Sequence, residues 1–400
     1  MTSVTEILLS KGDILYNQGD AHDSGFIIAS GEIILYSNLG DQRIDIERRG
    51  PGSIVGELSI LTGQPRTVTV EALTDCRVFR ISAEQILSRF EKLDPVLRAC
   101  VETSINFTGT FTKQANNASS EVPFAPSTLR DSEKLIAQFK FEMDLLKGIE
   151  NKEFFLVYQP VVRIDDASIV GFEALMRWTH PTLGFVSPDR FIQSAEAMGA
   201  ISKLTDFALM EACAALRRFK QLSGAPKALF ASINISGDDI CRTNFADFLT
   251  HVVDLNELDP SDIKLEVTET ALIGDFEIAD KNLKRLRGLG CGISVDDFGT
   301  GYSNLAYLKS LPLTTLKIDR AFAGDAHASS VSRGIVRMLV SLGKELGVDI
   351  IAEGLETIDD VEILQKLGCQ YAQGYYFHKP MPEQDLNILL SGTPERRDVA

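Results

Sequence analysis

Beyond residue 150 the chain alternates short apolar runs with longer helical stretches, and nearly every run ends in a carboxylate, an amide or a lysine. The runs are FFLVYQPVV, IVGFEALMRW, LFASINIS, IKLEVTET, GISVDDFG, TLKIDRAF, VDIIAEGLE and YAQGYYF. Strands separated by helices pair in parallel, and about eight of them over roughly 250 residues favour a closed α/β barrel. An open doubly wound sheet is the competing arrangement. In a parallel barrel all strands finish at one face, so Glu173, Asn234, Glu266, Asp296, Asp297, Lys317, Asp319 and Glu353 converge there from distant parts of the sequence.

Carboxylates crowded in this way repel and raise one another's pKa values unless cations neutralise them. The six cysteines and five histidines are scattered, with no C-x-x-C pair, no zinc-ligand spacing and no support for a Ser-His-Asp triad. Any metal is therefore held by oxygen donors, which suit magnesium or manganese. Two such ions about 3.5 to 4 Å apart acidify a water and stabilise an in-line displacement at phosphorus. Taken singly, each carboxylate reads equally well as a helix cap or half of a surface ion pair. Their recurrence at one strand end after another makes them a site.

The first 82 residues have a different texture: ILYNQGD, GFIIASGEIILYSNLGD, IDIERRGPGSIVGE, RTVTVEAL and CRVFRIS are closely spaced strand candidates joined by Gly and Asp turns. That pattern predicts a small all-β barrel or sandwich. A helical pattern follows from Ser82, and residues 108–130, rich in Ser, Thr, Asn and Pro, read as a linker between a domain over 1–107 and a second over 131–400. Asp131 or Ser132 can cap a helix whose Ile136, Phe139, Met143 and Leu146 form one apolar stripe.

With 400 residues, 44% of them hydrophobic, the chain can bury a core in each of two or three folded units. Its formal charge of −16 divides as −5 over residues 1–110 and −11 over the rest. Neither part is a basic module, which argues against DNA, RNA or an anionic membrane as the main partner. Residues 1–13 mix acid and base without a long apolar stretch, and no membrane-length apolar run occurs, so a cytoplasmic protein is expected.

The motifs EALMR (173–177), NIS (234–236), EVTET (266–270), DDFGTGYSNL (296–305), LKIDR (316–320), EGLET (353–357) and QGYYF (373–377), in this order over residues 135–390, resemble those of EAL-domain cyclic-di-GMP phosphodiesterases. The resemblance implies a TIM-like (β/α)8 barrel with one strand reversed, and metal-dependent hydrolysis of cyclic-di-GMP to linear pGpG. It implies that Glu173, Asn234, Glu266 and Asp296 ligate one of two divalent cations (Mg2+ or Mn2+), with Asp296 and Asp297 serving the second. Glu353 is then the general base or holds a water on the metals, and Lys317 orients or polarises that water. Glu269 holds the DDFGTG loop, while Glu356 and Gln373 sit beside the site. Gln159, Leu175 and Arg177 contact the dinucleotide, and Asp319 is grouped with them. Arg177 makes separate sense as a guanidinium facing a phosphate, or else as a partner of a neighbouring carboxylate. Phe298 and Tyr375 read as barrel packing rather than base-stacking platforms. The family also implies a homodimer that pairs near the DDFGTG loop.

In the first domain, GELSILTGQPRT (56–67) joins a short helix candidate after Gly56 to an arginine nine residues beyond Glu57. A cyclic nucleotide needs an anion clamp, which Arg66 and helix amides can provide, and an acceptor for its ribose hydroxyl, which Glu57 can provide. A barrel turn with a surface Glu-Arg pair is the alternative. Residues 10–82, with GDILYNQGD, IIASGEIILY and GELSILTGQPRT, resemble the jelly-roll-like cyclic-nucleotide-binding domain of bacterial catabolite activators and kinase regulatory subunits. The resemblance implies that Glu57 takes the ribose hydroxyl and Arg66 the phosphate, with Gly56, Leu58, Ser59 and Thr67 lining the cassette. Val55 and Val68 depart from the pattern: one replaces an aromatic and the other a small residue. Cyclic AMP is expected ahead of cyclic GMP, acting as an allosteric effector through segments 83–107 and 131–149.

Three other functions compete: a non-catalytic cyclic-di-GMP receptor, an enolase-like lyase with Lys317 as base, and a cyclic-nucleotide-binding adaptor. The complete set of metal-ligand residues favours an enzyme over a receptor.

Overall fold

The computed structural model describes residues 5–39, 42–91, 93, 101, 129–268, 271, 276–298 and 310–392, with side chains from residue 136 onward in the helix that begins at Leu129. The chain divides into two compact units. One holds the described residues up to Asn151 together with Asp189–Ala200; the other holds Lys152–Pro188 and the described residues from Ile201 on.

The N-terminal unit contains two antiparallel four-stranded sheets. The first has the order β1 (Glu6–Leu9), β8 (Cys76–Ser82), β3 (Ser24–Ser30), β6 (Ile54–Val55); the second has β2 (Ile14–Tyr16), β7 (Thr69–Ala72), β4 (Ile33–Leu39), β5 (Gln42–Arg49). Period-two alternation explains how β3 is covered on both faces. Phe26 and Ile28 join Leu9, Ile33, Val55, Val70 and Val78 in one apolar cluster, while Ile27 joins Ile81 and Phe139 in another. Phe139 lies on α3 (Leu129–Glu150), and Ile86 of α2 (Ala83–Glu91) packs on the same cluster. The expected apolar stripe of the 131–149 segment thus has a partner: Phe139 covers β3 and β8. Beside it, Arg89 pairs with the buried Glu142, which also accepts from Gln138 Nε2 at 3.1 Å.

In the second unit, β10 (Ile169–His180), β12 (Phe230–Asn234), β13 (Ile263–Thr268), β14 (Gly292–Phe298), β15 (Thr315–Ile318), β16 (Asp349–Ala352) and β17 (Tyr371–Ala372) pair in parallel in that order. The strand β9 (Phe154–Arg163) pairs antiparallel with both β17 and β10 and so closes the ring. A short β11 (Gly184–Val186) folds back on β10 as a hairpin that the run of strand candidates passes over. The open-sheet alternative is excluded by this closure.

The main core lies between the ring and its helices, where Phe172, Phe219 and Tyr158 meet edge to face with centroids 5.2 to 5.5 Å apart. Such pairs add roughly 0.5 to 1.5 kcal/mol each beyond area burial. Inside the ring a separate small cluster of Val161, Phe230 and Ile351 fills the floor. Counting by twos from these floor residues, β12 turns Ser232 and Asn234 inward, and β16 turns Glu353 inward just past its end. The register puts Asn234 opposite Glu266, Glu266 opposite Ser294, and Glu173 opposite Gln159. One layer at the carboxyl end of the ring is therefore polar by construction.

Candidate active site and nucleotide cassette

At the centre of that layer stands Lys317, only 1% exposed. Its Nζ lies 2.6 Å from Glu353 Oε1, 2.7 Å from Glu266 Oε2, 3.1 Å from Asp296 Oδ2 and 3.6 Å from Glu173 Oε2. Glu173 is fixed further by Asn234 Nδ2, which donates to Oε1 at 2.8 Å, and by Gln373 Nε2, which donates to Oε2 at 2.7 Å. Gln373 Nε2 also reaches Gln159 Oε1 at 3.1 Å, and Gln159 Nε2 donates to the His378 carbonyl at 3.1 Å. Gln373 is placed by a close approach: a Cβ at Gly374 would collide with the Leu355 backbone, whose N–H donates to the Gln373 carbonyl at 3.3 Å.

One ammonium cannot neutralise four carboxylates. Burial alone would lower the Lys317 pKa, yet the surrounding acids hold it well above the usual lysine value. Burial pushes Glu266 up to about 8, against the pull of Lys317, and drives Glu353 well above the carboxylate range. Glu173 goes the other way: burial opposes its charge, but Lys317 and the amides of Gln373 and Asn234 outweigh it and lower the pKa.

The register of β14 shifts between Val295 and Phe298, and Asp297 takes a left-handed backbone with φ 54°. That conformation is uncommon for a residue other than glycine and turns adjacent aspartates in different directions. Asp296 Oδ1 accepts the Asp297 N–H at 2.9 Å, and Asp297 itself is exposed. Partial desolvation of its carboxyl and the charge of Asp296 raise the Asp297 pKa. Two carboxylate triads result, Glu173–Glu266–Asp296 and Asp296–Asp297–Glu353, each with ligand oxygens within 4.8 Å of one another and with Asp296 common to both. The donors are all hard oxygens, and the deficit of positive charge is what a pair of divalent cations would correct, so the residues fit two such ions.

Other expected site residues divide. Leu175 and Arg177 follow Glu173 at alternate positions of β10. Arg177 is half-buried, donates to the Met176 carbonyl at 2.8 Å and has no carboxylate partner among the described residues; burial lowers its pKa. Asp319 caps a short helix, accepting the Ala321 N–H at 2.9 Å, and Glu356 lies 3.5 Å from Arg320 at the surface. Phe298 is buried in the core, and Tyr375 is exposed. Glu269 and residues 299–309, which include the second half of DDFGTG, lie outside the described residues. Asp360 is a residue that the motifs pass over. Its carboxylate accepts the N–H groups of Glu356 at 3.1 Å and Thr357 at 2.9 Å and meets His327 Nδ1 at 2.8 Å, bracing the turn that follows Glu353. The T-x-x-D spacing of a capping box, Thr357 to Asp360, was the available signal.

In the N-terminal unit, Gly56 (φ 83°) starts α1 (Glu57–Thr62) with a backbone that leaves no room for a side chain, since a Cβ would strike Arg66 Nη1. Arg66 is 3% exposed, its guanidinium 4.3 Å from the centroid of the Tyr16 ring. It donates to the carbonyls of Gly56 at 2.8 Å and Ser24, its Nε has no partner, and no carboxylate pairs with it among the described residues. Burial pushes the Tyr16 phenol up to about 12. Ser59 is buried, Leu58 is partly buried and Thr67 is exposed. Glu57 does not meet Arg66: its carboxylate lies 3.4 Å from Arg49. A buried guanidinium held only by carbonyls is a ready partner for an anion.

Comparison with known proteins places each part of the chain in a family. The EAL domain family matches residues 142–380, and the chain belongs to that family; the cyclic nucleotide-binding domain family matches residues 6–92. Among similar proteins, the cyclic di-GMP phosphodiesterase NbdA of Pseudomonas aeruginosa is 38% identical over 253 residues, 63% of this chain and 32% of that protein. The cyclic di-GMP phosphodiesterase PA2567 of the same organism is 40% identical over 248 residues, 62% of this chain and 42% of that protein. This chain thus spans less than half of either relative. The cAMP-bound structure of the EAL enzyme Bd1971 is 31% identical with a TM-score of 0.62, covering 96% of this chain and 100% of that one. Among the described residues no helix is long and apolar enough to cross a membrane.

Proposed function

We propose that this chain hydrolyses one phosphodiester bond of cyclic-di-GMP to give linear pGpG, under the control of a cyclic nucleotide bound by its N-terminal unit. The observation that carries the reading is the pair of carboxylate triads sharing Asp296 around Lys317. Glu173, Asn234, Glu266 and Asp296 would hold one divalent cation, magnesium or manganese, and Asp296, Asp297 and Glu353 the other. When bound, such ions acidify water and balance charge at the reacting phosphorus. Glu353 accepts the proton of the attacking water, and Lys317, 2.6 Å away, fixes its carboxylate. Gln159 and Gln373 steady Glu173 through their amide chain, and Arg177 offers its free donors to a substrate phosphate beside Leu175. Asp319 and Glu356 border the dinucleotide, and Glu269 braces the loop after Asp297. Support for the substrate comes from the names of the relatives, and from a further similar structure, the PaMucR phosphodiesterase in complex with c-di-GMP: 37% identity, TM-score 0.59, covering 62% of this chain and 99% of that one. Appearance of pGpG from cyclic-di-GMP in magnesium tests the activity. The chain works in the cytoplasm as a homodimer in this reading.

For the N-terminal unit the ligand is cyclic AMP ahead of cyclic GMP, with its phosphate on Arg66 and its ribose hydroxyl on Glu57. Arg66→Ala removes a charged, buried donor pair, so cyclic AMP affinity should fall roughly 10- to 100-fold by calorimetry while basal hydrolysis is retained. Unaltered binding by that variant would place the ligand elsewhere.

Control of turnover runs through α3, which leaves the N-terminal unit and reaches β9 after three residues. Glu142→Gln weakens the pair with Arg89 at the point where α2 meets α3. The change in turnover on adding cyclic AMP should shrink by roughly fivefold or more in this variant, with cyclic AMP affinity kept within about twofold. A full response in Glu142→Gln would show that the signal travels by another route.

A further inference from the structure

Arg49, the last residue of β5, is the only cation among the described residues that meets Glu57. Its guanidinium is gripped before it gets there. Nε and Nη2 lie 3.0 and 2.9 Å from Glu47 Oε2, and Nη1 donates to the Ile54 carbonyl at 2.5 Å. The same Nη1 then reaches Glu57 Oε1 at 3.4 Å, with both side chains partly buried. Burial works against the charge on Arg49, and Glu57 and Glu47 more than restore it. The turn that opens α1 is thus held by two guanidiniums. Arg66 takes the Gly56 carbonyl, and Arg49 takes the Ile54 carbonyl and the Glu57 carboxylate.

We infer that Arg49 is a positioning residue of the nucleotide cassette: it holds one oxygen of Glu57 and leaves the other turned out to accept the ribose 2′-hydroxyl. Arg49 itself need not touch the ligand. The inference rests on the reading of this unit as a cyclic-nucleotide site and adds the residue that makes Glu57 an effective acceptor.

A structural or merely superficial ion pair would behave differently, and one comparison separates the cases. Calorimetry on the 400-residue chain measures cyclic AMP and 2′-deoxy-cyclic AMP against the wild type, Arg49→Gln, Arg49→Lys and Glu57→Gln. The wild type should bind cyclic AMP about tenfold more tightly than its deoxy analogue. Arg49→Gln should weaken cyclic AMP by a similar factor while leaving the deoxy analogue within about twofold, as Glu57→Gln does, and Arg49→Lys should recover part of the loss. Equal weakening of both ligands in Arg49→Gln would mean general support of the turn and overturn the inference. So would cyclic AMP binding that Arg49→Gln leaves unchanged. A wild type that binds neither nucleotide, with cyclic GMP tried as well, would bring down the cassette itself, a result distinct from either.

Discussion

Glu173→Ala should abolish magnesium-dependent hydrolysis of cyclic-di-GMP, with a fall in kcat of more than about 100-fold, while the protein stays folded. The expectation follows from the place of Glu173 in the network. Asn234 and Gln373 orient its two oxygens, and Lys317 and the amides keep it ionised where burial would neutralise it. Alanine removes one corner of the Glu173–Glu266–Asp296 triad, so the set loses both a ligand and the geometry that Gln159 and Gln373 maintain through it. Folding should survive, because the change takes a negative charge out of a group with too many. Steady-state kinetics with a thermal unfolding curve separate the two effects, and an unchanged rate would contradict the assignment.

Lys317→Met should produce the largest loss of stability of any single change at the site. Among the described residues Lys317 is the one cation inside a set of four carboxylates, two of its partners lie within 2.7 Å, and it and Glu266 are each only 1% exposed. Removing one partner of a buried pair costs about 3 to 5 kcal/mol, since the abandoned charges must repel or take up protons. In a chelator the unfolding midpoint of the barrel unit should therefore drop by roughly 6 to 20 °C. Manganese or magnesium at millimolar concentration should return a larger share of stability to this variant than to the wild type, because cations then supply the neutralisation that Lys317 gave. A midpoint insensitive both to the substitution and to metal would mean that these carboxylates do not share one charge balance.

Much of this site was legible because its residues obey strand arithmetic. Asn234, Glu266, Asp296, Lys317 and Glu353 each lie at or just past the carboxyl end of a barrel strand, and Glu173 lies within the longer β10, so an alternating pattern and a common polarity were enough to bring them together. Strand arithmetic stops where a strand does: β15 ends at Ile318, and Asp319, next in the chain, caps the short helix that follows. The left-handed backbone at Asp297 and the bulge around it came from no local signal, since neither glycine nor a turn motif marks the position. Long-range pairings were equally hidden. The sequence set Arg66 beside Glu57, but Arg66 sinks under Tyr16 toward the Ser24 carbonyl, and Arg49 takes its place. Phe139 marked an apolar stripe, yet nothing in its period named β3 and β8 as the surface it covers. Partners of this kind are decided by tertiary packing, which periodicity does not encode.

The central claim is that two oxygen-lined cation sites around Lys317 cleave a cyclic dinucleotide. Its most direct test is to incubate the 400-residue chain with cyclic-di-GMP in magnesium and in manganese, with a chelated control, and to resolve the products by chromatography and mass spectrometry. The account predicts conversion to linear pGpG that needs the metal and disappears in Glu173→Ala. Cyclic-di-GMP recovered intact from folded, metal-supplied protein, with and without cyclic AMP or cyclic GMP, would contradict it.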